Sequence, residues 1–206
     1  MIATEYSLTQ LKTHFSTITK KSEIKLSLKK FLSYGPKLQE IDFSKYQLIC
    51  LSGKNGHGKS ALLDAITWAI WGQGRKTINT VKPDQGLLHL GQTQMVVCLE
   101  FKFNNETYKI KREFSLTYGK PHVALDIAIK NEKNELKTLS EKTIKETQEK
   151  IEQLLGLDFQ AFCNSAFLRQ GQSNEFSQKS PKERKEILGK ILGLEQYEKT
   201  KKLALE

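Results

Sequence analysis

At 206 residues the chain is long enough for one domain with a hydrophobic core, with or without a projecting helix, and too short for two full domains. Hydrophobic residues at 38% and charged residues at 27% argue against a disordered or membrane-embedded chain. The 33 Lys and Arg against 23 Asp and Glu leave a net charge of +10, an excess that favours a polyanionic partner such as nucleic acid.

Met1 to Lys21 show no periodicity and no continuous apolar segment, so they predict an N-terminal extension (1–22) and no secretory signal. Ile24, Leu26 and Leu28 alternate with Lys25, Ser27 and Lys29, the period of a half-buried strand, which turns at Tyr34-Gly35-Pro36. Ile41 and Phe43 continue the sheet. Gln47 to Ser52 form an apolar run that ends at a glycine, and predict a central buried strand.

Gly53-Lys54-Asn55-Gly56-His57-Gly58-Lys59-Ser60 then matches G-x-x-x-x-G-K-[ST] between that strand and the apolar stretch Ala61 to Trp71, which ends at Gly72. Glycines let the backbone curl so that successive N–H groups face a phosphate, and the following helix adds the positive end of its dipole. Asn55, Gly56, Gly58, Lys59, Ser60 and Ala61 are therefore candidate ATP-binding residues. Lys59 is placed to reach the β- and γ-phosphates, and the Ser60 hydroxyl to coordinate Mg²⁺. His57 sits at a variable position and faces solvent or a neighbouring loop; Trp68 and Trp71 fill a core, and Asp64 is a structural hydrogen-bond partner rather than a catalytic acid. The apolar helix is well short of the ~20 residues of a membrane span.

A polar linkage from Gln73 to Gln92 leads to three strand-like stretches, Met95–Phe103, Thr107–Leu116 and Val123–Lys130, separated by turn chemistry at Asn104-Asn105 and Gly119-Lys120-Pro121. They predict an antiparallel meander. Lys109 and Lys111 share one face of the second stretch while Tyr108, Ile110 and Arg112 take the other, so the two lysines are candidates for a DNA phosphate backbone or for a solvated face. Thr138 and Glu141 have capping-box spacing ahead of an amphipathic helix carrying Ile144, Ile151, Leu154 and Leu155. Ser180-Pro181-Lys182-Glu183 starts another helix, and Glu195 to Glu206 is charged, helix-forming material. Cys50, Cys98 and Cys163 are far apart with no CxxC spacing, which argues against disulfides or zinc and suits a reducing, cytoplasmic setting.

Several segments together resemble the SbcC-type repair ATPases of the structural-maintenance-of-chromosomes superfamily, which are ABC-type ATPases. They are Lys30-Phe31-Leu32-Ser33-Tyr34, Ile41-Asp42-Phe43, the glycine loop with Leu63-Asp64-Ala65-Ile66, and Phe167-Leu168-Arg169-Gln170-Gly171-Gln172 followed by Pro181-Lys182-Glu183-Arg184. The similarity runs from Ile24 to Glu206. Leu32 stands where the family often has an arginine, while Ser33 is kept as a nucleotide contact; the N-terminal extension is a further departure.

The resemblance implies an α/β fold, a P-loop ABC-type ATPase half-head with a mixed sheet, an antiparallel β-layer and helices leading to a coiled-coil root. Residues 23–194 would be the N-terminal lobe and 195–206 the start of the coiled coil. Gln170 takes the Q-loop position, touching Mg²⁺ and the attacking water, so Gln170 and Lys59 are the catalytic candidates and Ser60 and Gln170 the metal contacts. Arg75 falls in a region where relatives place a basic residue near nucleotide or DNA, with a solvated surface arginine as the alternative, and Lys76 beside it is a further DNA candidate.

The chain has no Leu-Ser-Gly-Gly signature and no apolar strand ending in Asp-Glu. That absence implies a C-terminal half of the head supplied elsewhere and weak ATP hydrolysis by this chain alone, and the resemblance further implies a second copy, duplex DNA and an SbcD-type exonuclease as partners, with nucleoid association. The nucleotide-binding part of an ABC transporter and a non-enzymatic DNA-tethering remnant are the alternatives.

Overall fold

A computed structural model describes residues 24–191 apart from 47, 75–83, 132 and 166–178. The expected extension 1–22, Arg75, Lys76, the Gln170 segment and the expected coiled-coil start 195–206 lie outside the described residues. The described residues fall into two compact units, one within 15–151 and one from 152 onward.

The first unit is built on six strands: β1 (Ile24–Lys29), β2 (Gln39–Asp42), β3 (Gln94–Phe103), β4 (Glu106–Thr117), β5 (Lys120–Lys130) and β6 (Leu136–Thr138). They form one sheet in the order β2-β1-β3-β4-β5-β6, and every neighbouring pair is antiparallel. Alternation decides which face is inside. Leu26 and Leu28, Met95 to Phe103 at every second position, Tyr108, Ile110 and Phe114, and Leu125 and Ile127 are all buried. Helix α1 (Lys59–Trp71) packs against β3 and β4, with Trp68 and Ala65 fully buried.

The expected meander is present, continuous with β1 and β2 in a single sheet. Its first turn, Asn104-Asn105, has φ of +50° and +66°, as a two-residue hairpin needs for its twist. The second turn falls at Tyr118-Gly119 (φ +50° and +73°), one residue earlier than the proline suggests, because Thr117 pairs with Lys120 and Leu116 with Pro121.

Three expectations are corrected. Leu48 to Ser52 are not a central buried strand: the backbone is irregular, and Leu48 is 62% and Leu51 41% exposed. An apolar run becomes a strand only when a neighbour takes up its amides and carbonyls, and this segment pairs with none of the six strands among the described residues. For the same reason the described sheet is antiparallel rather than mixed. Its pairs β3-β4, β4-β5 and β5-β6 are joined by short turns, which permit only antiparallel neighbours.

The capping box before α2 (Ile144–Leu155) is formed by Thr143 and Glu146, not Thr138 and Glu141. Glu146 N donates to Thr143 Oγ1 at 3.2 Å and Thr143 N to Glu146 Oε2 at 3.1 Å. Thr138 is instead paired with Ala128 at the end of β6.

In the second unit, α3 (Phe159–Ser165) packs on α4 (Pro181–Ile191), with Ala161, Phe162 and Ile187 buried. Asp158 caps α3 by accepting from Ala161 N at 2.7 Å. The box at α4 forms as expected, Ser180 N donating to Glu183 Oε2 at 2.8 Å and Glu183 N to Ser180 Oγ at 3.3 Å. No helix among the described residues is long and apolar enough to cross a membrane.

Candidate functional site

The loop from Gly53 to Ser60 joins the irregular segment to α1, and its conformation rests on glycine. Gly53, Gly56 and Gly58 have φ of +148°, +84° and +85°, values that side chains disfavour. Gly58 is the N-cap of α1 and brings no side chain to bond the amides of the first turn. The helix therefore presents a positive end that no side chain caps, with Lys59 and Ser60 as its first two residues.

Lys59 is folded back over the loop, its Nζ donating to Gly53 O at 2.6 Å and to Lys54 O at 2.8 Å. The ammonium thus lies inside the curve of the loop, satisfied by two carbonyls that an anionic ligand could replace. Asn55, Gly56 and His57 are exposed, Gly58 and Ala61 are buried, and Ser60 is half-buried.

A second turn leans on this loop. Ser33 Oγ donates to Gly56 O at 3.3 Å, and Tyr34 Oη to Gly58 O at 3.2 Å. Burial pushes the Tyr34 phenol's pKa up. The turn is held in an unusual path: Lys30 and Leu32 both have positive φ, and Lys30 N donates to Gly35 O at 2.9 Å. Segment 87–89 latches it from the other side. Leu32 N donates to Leu87 O at 2.7 Å, His89 N to Lys30 O at 3.0 Å, and His89 Nδ1 lies 2.7 Å from Leu32 O. Leu87 is set by the 3₁₀ turn Asp84–Leu87, whose Asp84 accepts from the buried Trp68 indole at 2.7 Å.

The structure therefore brings Ser33 against Gly56 and Tyr34 against Gly58, on the same loop whose Gly53 and Lys54 carbonyls hold Lys59. Tyr34, His89 and Asp84 are not singled out as site residues by the sequence. A tyrosine next to the expected Ser33 contact is the available signal for the first; the other two reach the site only through the fold.

Lys109 and Lys111 stand elsewhere, on the open face of β4. Lys109 Nζ is 3.2 Å from Glu100 and Lys111 Nζ 3.0 Å from Glu113. Lys130 shares Glu100 at 3.9 Å. This face is a lattice of opposite charges rather than a purely basic strip.

Comparison with known proteins matches residues 25–206 to the family described as AAA domain. The SbcC protein of the SbcCD nuclease from Deinococcus radiodurans is 31% identical over 169 residues, 82% of this chain and 18% of that protein. The DNA double-strand break repair Rad50 ATPase of Methanococcus maripaludis is 31% identical over 159 residues, 77% of this chain and 14% of that protein. The SbcC protein of the SbcCD nuclease from Staphylococcus epidermidis is 31% identical over 186 residues, 84% of this chain and 18% of that protein. The matched part spans between 14% and 18% of the length of these relatives. With the family match running over 25–206 and these relatives aligned over most of it, the chain belongs to the AAA domain family and is of the SbcC/Rad50 type.

Proposed function

We propose that the chain is the ATP-binding part of a DNA double-strand-break repair ATPase of ABC type, with Gly53–Ser60 as its phosphate loop. The observation that carries this is the start of α1: a helix end with no side-chain cap, entered through glycines at positive φ, with Lys59 turned into the loop and Ser60 beside it. The names of the relatives support the DNA-repair setting.

On this reading the amides of Gly56 and Gly58 through Ala61 hold the β-phosphate, with Asn55 beside them. Lys59 leaves the Gly53 and Lys54 carbonyls for the β- and γ-phosphates. Ser33, already against Gly56, borders the same ligand. Among the described residues no group of three or more His, Cys, Asp or Glu gathers, so Mg²⁺ would be held by the Ser60 hydroxyl, the nucleotide's oxygens and Gln170. The ion would neutralise charge developing on the transferred phosphoryl group. Gln170 would position the attacking water.

Residues 23–194 would act as one lobe of a head completed by a C-terminal half, 195–206 as the beginning of a coiled coil, and two heads as a clamp on duplex DNA that gates an SbcD-type exonuclease. Arg75, Lys76, Lys109 and Lys111 are the proposed DNA contacts, the last two exchanging carboxylates for phosphates. Hydrolysis by this chain alone would be weak.

Calorimetric titration with ATP and Mg²⁺ tests the central claim. Lys59→Ala is expected to abolish measurable binding while leaving the fold intact, and an unchanged Kd in the folded variant would overturn the assignment.

A further inference from the structure

The face of β4 that packs inward carries Tyr108, Ile110, Arg112 and Phe114 in register, and Arg112 is only 5% exposed. A guanidinium among apolar neighbours loses its hydration, so its partners must replace what water supplied. Among them are two carbonyls at the far end of α1 from the glycine loop and a side chain of α2. Arg112 Nε donates to Ala69 O at 3.2 Å and Nη2 to Ile70 O at 3.3 Å, and Nη2 also donates to Gln148 Oε1 at 2.5 Å. Gln148 closes the figure by donating from Nε2 to Ile70 O at 3.1 Å.

The helix has no basic residue in its own last turn, so β4 supplies the positive charge that complements the negative end of its dipole. The guanidinium carbon also sits 6.0 Å from the Trp68 ring centroid. Gly72 ends the helix at φ +67°, and a methyl there would stand 3.0 Å from Arg112 Nη1. The close approach of the guanidinium is thus built into the choice of glycine.

We propose that Arg112, clasped by Gln148, is a positioning residue for the nucleotide site: it fixes the C-terminal end of α1 and thereby the direction in which the same helix presents Gly58, Lys59 and Ser60. This rests on the nucleotide function proposed above and adds to it a control point on β4 and α2. The leverage follows from helix geometry. Thirteen residues make a rod of about 20 Å, so a tilt of about 3° at one end moves the other by about 1 Å, enough to spoil a phosphate cradle. Gln148 lies on α2, so the clasp also ties the glycine-loop helix to a second helix.

The test uses Gln148→Leu, which removes the Gln148 bonds to Arg112 and Ile70 at a half-buried position, and Arg112→Lys, which keeps the charge but not the forked contacts. Amide hydrogen exchange is followed along residues 58–72, and ATP–Mg²⁺ binding is titrated on the folded variants. The expected result is faster exchange at Gly58–Leu62, the end remote from the substitutions, with a Kd raised about tenfold in Gln148→Leu and at least as much in Arg112→Lys. An unchanged Kd, or faster exchange confined to Ala69–Gly72, overturns the proposal. A wild-type chain that takes up no ATP overturns the nucleotide function instead, and the exchange pattern still decides whether the clasp orients the loop.

Discussion

The ring of Tyr34 covers Gly58 so closely that a methyl group on the glycine would stand 3.1 Å from Cε2 and 3.2 Å from Cζ, while the tyrosine hydroxyl donates to the Gly58 carbonyl. The turn after β1 and the start of α1 are therefore fitted to each other through one residue that can have no side chain. Gly58→Ala combines two penalties, the left-handed backbone at φ +85°, worth about 1–2 kcal/mol, and the overlap with the ring. A urea midpoint should fall accordingly. Adding Tyr34→Ala should recover the overlap component alone, leaving the backbone component in place.

The buried Trp68 indole gives a second test, because it donates to the Asp84 carboxylate at 2.7 Å. Asp84→Ala leaves a buried donor beside the glycine-loop helix and should cost about 1–3 kcal/mol. Asp84→Asn retains an acceptor oxygen and should recover most of it. Denaturant unfolding with tryptophan emission as the probe measures both variants.

Tyr108 predicts an alkaline limit. Burial first, and then the hydrogen bond and charge of Glu106, push its phenol from 10.0 up to about 12. The folded state thus holds the proton more tightly than the unfolded chain. That contribution is complete below pH 10 and disappears as the pH rises through about 12. Stability measured against pH should decline over that window, and Tyr108→Phe should flatten the decline relative to wild type.

For DNA, the paired state of Lys109 and Lys111 sets the scale of what their loss can do. Replacing both by glutamine should weaken duplex binding alike for all sequences and lower the salt slope by about 2, roughly one unit per phosphate contact. An unaltered slope and affinity would leave these lysines with Glu100 and Glu113 and move the DNA surface to Arg75 and Lys76.

Much of the sheet is legible in the sequence because alternation is a local signal: Ile24 to Lys29 and the three long strands announce which side chains go inward. The glycine loop and the Ser180–Glu183 box are legible for a similar reason, since spacing alone specifies them. The Leu48 to Ser52 segment misleads because an apolar pattern records what side chains prefer and says nothing of whether a neighbouring strand is at hand. Thr138 resembles a cap because the spacing Thr-x-x-Glu occurs at 138 and again at 143, and only the start of α2 shows which one serves. Arg112 leaves a faint trace, a lone cation on the inward side of an alternating strand. Its partners, Ala69 and Gln148, are 43 and 36 residues away, a distance over which pattern reading has no grip.

The run Leu48-Ile49-Cys50-Leu51 has a consequence for the substance in a test tube. These uncharged residues without proline lie at or near the surface just before the glycine loop, and short stretches of that kind seed β-type association between molecules. Cys50 is exposed among them, so chance encounters between two such stretches can be locked by air oxidation. The concentrated chain should thus cloud over time, more slowly with a reductant present, and a charged residue in place of Leu48 should act as a gatekeeper that keeps it clear.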